Sequence, residues 1–172
     1  MASDTRLSVA DYQAVPKQPV VVLLDSVRSL NNVGSVFRTC DAFRVEKLVL
    51  CGVTGTPPDR EIEKTALGAT KSVQWEHVAS TLEAVRALKA KGYTVAAIEQ
   101  APNSISLSDF TYTGQSLAVI FGNEVYGVDP EVLQLCDTII EIPQYGTKQS
   151  LNVSVCAGIV LWELCGKNIL EQ

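Results

Sequence analysis

Short apolar runs alternate along the chain with stretches of 3.6-residue periodicity, and this alternation predicts the order of elements. PVVVLLD at 19–25 carries β-branched valines at 20–22 and reads as a buried strand. Pro16 and Pro19 are expected to keep the arm before it irregular. Val33, Val36, Phe37 and Cys40 then fall at i, i+3, i+4 and i+7, one face of a helix that Asn31 or Asn32 would cap. KLVLCGV at 47–53 is the next strand, and Asp59 can cap a short polar helix through REIEK. A small-residue loop at 67–70 leads to a strand expected around 72–75. Leu82, Val85 and Leu88 mark an amphipathic helix ended by Gly92, and YTVAAIE at 93–99 is again a strand.

The polar segment at 100–115 separates this half from the buried strand LAVIF at 117–121. A Gly-punctuated loop, GNEVYGVDP, follows, with Pro130 in the first turn of a helix through Cys136. TIIEIP at 138–143 is the last strand, stopped by Pro143. After QYGTKQ, Ser150 can cap a helix reaching about Leu164. That helix is apolar on both faces, with Val153, Ala157, Val160, Leu161 and Leu164 on one and Val155, Ile159 and Trp162 on the other. Such a helix is expected to be buried, in the core or against a second subunit. Strands separated by helices imply a parallel α/β sheet with helices on its faces. Ligands then bind beyond the carboxyl ends of the strands, which directs attention to loops 25–35, 99–103, 122–129 and 143–150.

Composition narrows the class. The 172 residues suit one domain, and no apolar run approaches the roughly 18–20 residues of a membrane span. The opening MASDTRLSVADYQAVPKQP has neither a basic nor an apolar segment of a secretory signal. Five cysteines without a CxxC pair read as buried thiols in a reducing cytoplasm, and the lone His77 offers no metal-ligand spacing, so no metal is expected. GxGxxG does not follow the first strand, and GxxxxGK[ST] is missing, which removes the main support for a dinucleotide-binding oxidoreductase or a P-loop enzyme. The net charge of −5 argues against a bulk electrostatic grip on nucleic acid. Its distribution is uneven: residues 1–90 hold 11 Lys+Arg and 10 Asp+Glu, residues 91–172 hold 3 and 9.

Three loops carry candidate chemistry. In SLNNVGSVFR, Asn32 would cap the helix, Gly34 permits close approach of another chain, and Arg38 lies off the main apolar stripe. In FGNEVYGV, Gly122 and Gly127 permit positive φ or close ligand approach, with Glu124 between them. In IPQYGTKQSLNVS, Gly146 bends the chain, Ser150 opens the helix and Asn152 falls in its first turn. Singly, each has a plain reading as a cap, a solvated side chain or a turn residue. Together and in this order, NxGxxxR (Asn32, Gly34, Arg38), GNExxG (Gly122, Asn123, Glu124, Gly127) and IPxxGxxxSLNVS (Ile142, Pro143, Gly146, Ser150 to Ser154) resemble the three motifs of the SpoU/TrmH branch of the SPOUT RNA methyltransferases.

The resemblance spans about residues 20–165 and implies a parallel α/β fold whose C-terminal segment forms a deep trefoil knot. It implies S-adenosylmethionine as methyl donor, 2′-O-methylation of a ribose in tRNA or rRNA with tRNA favoured, and a homodimer in which each site borrows residues from the partner. Carried over by position, Gly122, Ile142 and Leu151 contact the donor; Ile98 and Glu99, at the end of their strand and outside the three motifs, are expected to line the same pocket. Arg38 is the catalytic arginine, Asn32 organises the site, and Glu124, Ser150 and Asn152 are its polar residues. A guanidinium is a donor with no acceptor site, so Arg38 is expected to polarise the ribose hydroxyl or hold the adjacent phosphate rather than act as base. Arg44 stands where the family often has glycine, and Gln144-Tyr145 replaces a commoner methionine. The chain is read as one domain, 1–172, with a short arm at 1–19 and no separate RNA-binding domain. A non-catalytic RNA-binding or assembly protein that keeps the fold is the alternative. Around the first motif, Arg28, Arg38, Arg44 and Lys47 outnumber Asp41 and Glu46, which predicts a modest, salt-sensitive affinity for RNA.

Overall fold

The computed structural model describes residues 6–166. Its strands are β1 (Gln18–Asp25), β2 (Val45–Cys51), β3 (Trp75–Val78), β4 (Thr94–Ile98), β5 (Ile105–Ser106), β6 (Leu117–Phe121) and β7 (Thr138–Glu141). They form one sheet in the order β3-β2-β1-β6-β4-β7-β5, every pairing parallel. The helices are α1 (Val9–Ala14), α2 (Leu30–Ala42), α3 (Arg60–Ala66), α4 (Ala69–Ser72), α5 (Thr81–Ala90), α6 (Pro130–Leu135) and α7 (Val153–Leu161), the last running into a π-helical turn at Trp162–Gly166.

Alternation along β1 explains the two-faced packing. Val20, Val22 and Leu24 join α2, α3 and α7 residues such as Phe37, Ile62 and Leu161 in one core cluster. Val21 and Leu23 join Val85 of α5 and Val132 of α6 in another. Both faces of the central strands are therefore covered, which is why PVVVLLD and LAVIF read as continuous apolar runs. Register brings the carboxyl ends of four strands level: Leu24 of β1 pairs with Phe121 of β6, Phe121 with Ile98 of β4, and Ile98 with Ile140 of β7. The loops that leave these ends build the site.

Several expectations are corrected. The arm is not irregular: α1 lies within it, capped by Ser8, with Tyr12 buried and Lys17 both over the Tyr12 ring and donating to the Tyr12 and Val15 carbonyls. The caps also differ. Ser29, not Asn31 or Asn32, caps α2 by accepting from the Asn32 amide, and Asn152, not Ser150, caps α7. The segment before β3 is the helical turn α4, so that strand begins at Trp75 and not at Ser72. The two-residue β5 has too little sequence for a periodicity signal.

Helix α7 is buried on only one side. Ala157, Val160 and Leu161 are fully enclosed, whereas Val155 is 50% exposed, Ile159 39% and Trp162 50%. Cys40, Cys51 and Cys165 are buried, and burial pushes the Cys51 and Cys165 thiols up to about 12, so both are neutral thiols at physiological pH. No helix among the described residues is long and apolar enough to cross a membrane.

Candidate active site

The loop after β1 turns through Ser26 at φ +55° and enters α2 at Leu30. Gly34 lets this helix press on α3, since a Cβ there would overlap the Ile62 carbonyl and the Thr65 hydroxyl. Asn32 is thereby held at the start of α2, facing the loop that leaves β6. That second loop is closed by reciprocal bonds between Asn123 and Gly127, both 2.9 Å. The Asn123 carboxamide does two further things: Oδ1 accepts from the Val125 and Tyr126 amides, and Nδ2 donates to the Ser26 carbonyl at 2.7 Å. Gly127 needs its φ of +71°, and its missing Cβ makes room for the Glu99 carboxylate.

Glu124 joins the two loops. Its carboxylate accepts from the Arg28 and Ser29 amides, each at 3.1 Å, and from Asn32 Nδ2 at 3.4 Å. Partial burial raises its pKa, but hydrogen bonds from its own amide, Arg28, Ser29 and Asn32 outweigh this and hold the carboxyl below its ordinary value. The chain of contacts continues into the third loop, where Asn152 Nδ2 donates to Asn32 Oδ1 at 3.1 Å. Asn152 Oδ1 in turn accepts from the Ser154 amide and hydroxyl. One residue from each motif is thus tied into a single Asn152–Asn32–Glu124 network.

The residues expected to hold a donor lie on the other side of Gly122. Ile98 and Ile142 are half-buried at the ends of β4 and β7, and Leu151 is 37% exposed beside Asn152. At Gly122 a Cβ would overlap the backbone of Gly127 and Val128, so the chain passes there without a side chain. Apolar surface next to bare backbone suits a flat adenine held through main-chain groups, and the set fits S-adenosylmethionine. Glu99, next to Ile98 at the end of β4, also anchors the second loop: its Oε2 accepts from the Val128 amide at 3.0 Å and its Oε1 from the Gln100 amide at 2.9 Å.

Two candidates stay outside the network. Ser150 is exposed and makes no hydrogen bond among the described residues. Arg38 is exposed on α2, and its guanidinium has no hydrogen bond or ion pair among them. At six residues from Asn32 it lies about 9 Å along α2 and about a third of a turn round it. Sequence reasoning missed Asp25, which is 6% exposed and accepts from the Thr81 hydroxyl at 2.6 Å and the Asp129 amide at 2.9 Å, pinning the far end of the second loop. An acidic residue closing an otherwise apolar strand was the available signal.

Comparison with known proteins accords with this geometry. The chain is 38% identical over 148 residues to the tRNA (guanosine(18)-2′-O)-methyltransferase of Thermus thermophilus, covering 86% of this chain and 75% of that one. A solved A. aeolicus TrmH/SpoU tRNA modifying enzyme matches with a TM-score of 0.84 and 30% identity, over 95% of this chain and 83% of that one. An AdoMet-bound rRNA methyltransferase from Sinorhizobium meliloti matches with a TM-score of 0.80 and 28% identity, over 88% of this chain and 58% of that one. The fold is that of an α/β RNA 2′-O-methyltransferase that uses S-adenosylmethionine. The chain belongs to the SpoU rRNA Methylase family, whose model matches residues 19–162.

Proposed function

We propose that this protein transfers a methyl group from S-adenosylmethionine to the 2′-hydroxyl of a ribose in RNA, with tRNA favoured over rRNA. The observation that carries the reading is the Asn152–Asn32–Glu124 network, which joins one residue of each motif beside the donor cradle. Backbone groups at Gly122, Ile142 and Leu151, with the Ile98 side chain, hold the donor. Bound there, it supplies a methyl group on a positively charged sulfur, already activated for displacement. The protein's task is to orient and polarise the ribose hydroxyl. Arg38 does this as a hydrogen-bond donor to the hydroxyl or to the adjacent phosphate, and its fork geometry favours an oxyanion partner. Glu124 and Asn32 are positioning residues in this scheme, and Ser150 and Asn152 place donor or ribose.

The homodimer belongs to the same reading. The exposed apolar face of α7 and the absence of a partner for Arg38 among the described residues support a second copy that covers the first and completes a site with the second. The trefoil knot is supported by the path after β7: the Asn152–Asn32 bond brings the start of α7 against the start of α2, which follows β1, three places from β7 in the sheet. The reading places the protein in the cytoplasm, with RNA selected by its core, by the N-terminal arm or by a partner protein.

Nucleoside mass spectrometry of RNA from a deletion strain is the direct test, with loss of one 2′-O-methylated nucleoside as the expected result. No such loss, together with no donor binding by calorimetry, would favour the non-catalytic RNA-binding alternative. Near-normal turnover by Arg38→Lys would sink a role that depends on the guanidinium fork.

A further inference from the structure

The second loop keeps in water what folding ordinarily hides. Its polar groups are tied down by Asn123, Glu124, Glu99 and Asp25, yet Val125 is 78% exposed and Tyr126 82%. The bonds from Asn123 Oδ1 to the Val125 and Tyr126 amides fix the backbone on which both side chains stand, so their exposure is built in. Facing them is Arg28, whose amide is held by Glu124 while its exposed guanidinium has no hydrogen bond or ion pair among the described residues. Between the two lies an open cleft of about 330 Å³, completed by Ser29, Asn123 and Glu124.

The cleft is not the donor cradle. It opens on the β1 side of Gly122, between adjacent strands β1 and β6, whereas Ile98 and Ile142 lie on the β4 and β7 side. Through Glu124 its floor is continuous with Asn32. An aromatic ring beside a free guanidinium matches the two chemical faces of a nucleotide: a base that stacks and a phosphate that forms charge-assisted hydrogen bonds. In a duplex both faces of a base are already stacked, so only an unpaired base can use such a ring. We propose that Tyr126 and Arg28 form a subsite for an unpaired nucleotide flanking the one whose ribose is methylated. The subsite rests on the functional reading above and adds that the target ribose is presented in a single-stranded segment.

The test uses the full chain with a fluorescent single-stranded oligonucleotide, the same sequence in a duplex, and unmodified tRNA transcripts as methyl acceptors. Calorimetric donor affinity serves as the check on folding. Tyr126→Ala weakens single-strand binding about tenfold and leaves the weaker duplex binding in place, and Tyr126→Phe restores the loss. Arg28→Ala lowers the slope of log affinity against log salt by about 0.7, the value for one phosphate contact on a single strand. Single-strand binding by Tyr126→Ala within about twofold of wild type, or failure of phenylalanine to restore it, overturns the subsite. A wild-type protein that binds donor but methylates no RNA overturns the functional reading instead. Methyl transfer indifferent to both substitutions leaves that reading standing and removes the subsite alone.

Discussion

The loop after β6 is fastened through its backbone amides from Asn123 to Asp129, whereas residues 143–150 after β7 make no hydrogen bond among the described residues. Both leave the same edge of the sheet. In the first, Asn123, Glu124, Glu99 and Asp25 hold the backbone before any ligand arrives; in the second, Tyr145 is 95% exposed and the chain is fixed again only where Asn152 meets Asn32. Few backbone bonds and few buried contacts mark a segment of low local stability. In the proposed reading the RNA side of the site is preorganised, and the donor side carries its ordering into the binding step.

The contrast breaks most visibly at Gly122. A Cβ there overlaps the main chain of Gly127 and Val128, so alanine must displace the fastened loop rather than a flexible side chain. Gly122→Ala should lower stability by about 1–3 kcal/mol, the range for forced overpacking, and abolish methyl transfer. Urea unfolding and a transfer assay measure the two. An unchanged unfolding midpoint would mean that the loop gives way easily and that its hydrogen bonds do not make it rigid.

Asn152 tests where the fastening resumes. Alanine removes the cap of α7 and the link to Asn32, an expected loss of about 1 kcal/mol by denaturation. Asn152→Asp keeps a capping oxygen but loses the Nδ2 donor. It should recover most of the stability while leaving activity impaired if the link to Asn32 positions the site. Full activity in the aspartate variant would reduce Asn152 to a cap.

The same contrast explains what could be read before the structure. The central strands were legible because burial on both faces forces continuous apolar runs such as PVVVLLD, and α2 and α5 because one apolar face repeats at helical spacing. Cap identity was less legible: several polar residues stand at each helix start, and only the backbone decides between Ser29 and Asn32, or between Asn152 and Ser150. The arm helix α1 escaped because its support is tertiary, through buried Tyr12 and Lys17, and not periodic. In the site, motif order picked out three loops that the structure ties together through Asn32, Glu124 and Asn152. It could not distinguish a carboxylate that faces a ligand from one that accepts backbone amides, as Glu99 and Glu124 do, because both uses need the same residue.

The ionisation of Glu124 gives a smaller effect with a defined sign. Its folded pKa lies below the ordinary 4.5, so its stabilisation is complete above that value and is lost as pH falls through the lower folded value. The stability difference between wild type and Glu124→Gln should therefore be constant near neutrality and shrink toward zero in acid. Thermal unfolding across that range reads it. A difference that persists in acid would place the contribution in shape rather than in the charged acceptor.

Gly146 offers the smallest effect and the sharpest opposition to Gly122. Its φ lies outside the left-handed region, and an added Cβ would meet no atom within 4 Å. Alanine therefore adds no clash to the folded chain and narrows the conformations of the unfolded one, which should raise stability by about 0.5 kcal/mol. The same chemical change then has opposite signs in the two loops, a reversal that residue type alone does not predict. Donor affinity measured on the same variant extends the test. If ligand binding draws residues 143–150 into a tighter path that needs glycine, Gly146→Ala will be more stable alone yet bind the donor more weakly, and amide exchange in that segment will slow less on donor addition than in wild type. Destabilisation of the free protein by Gly146→Ala would show instead that the third loop is as closely held as the second, and the distinction between them would fall.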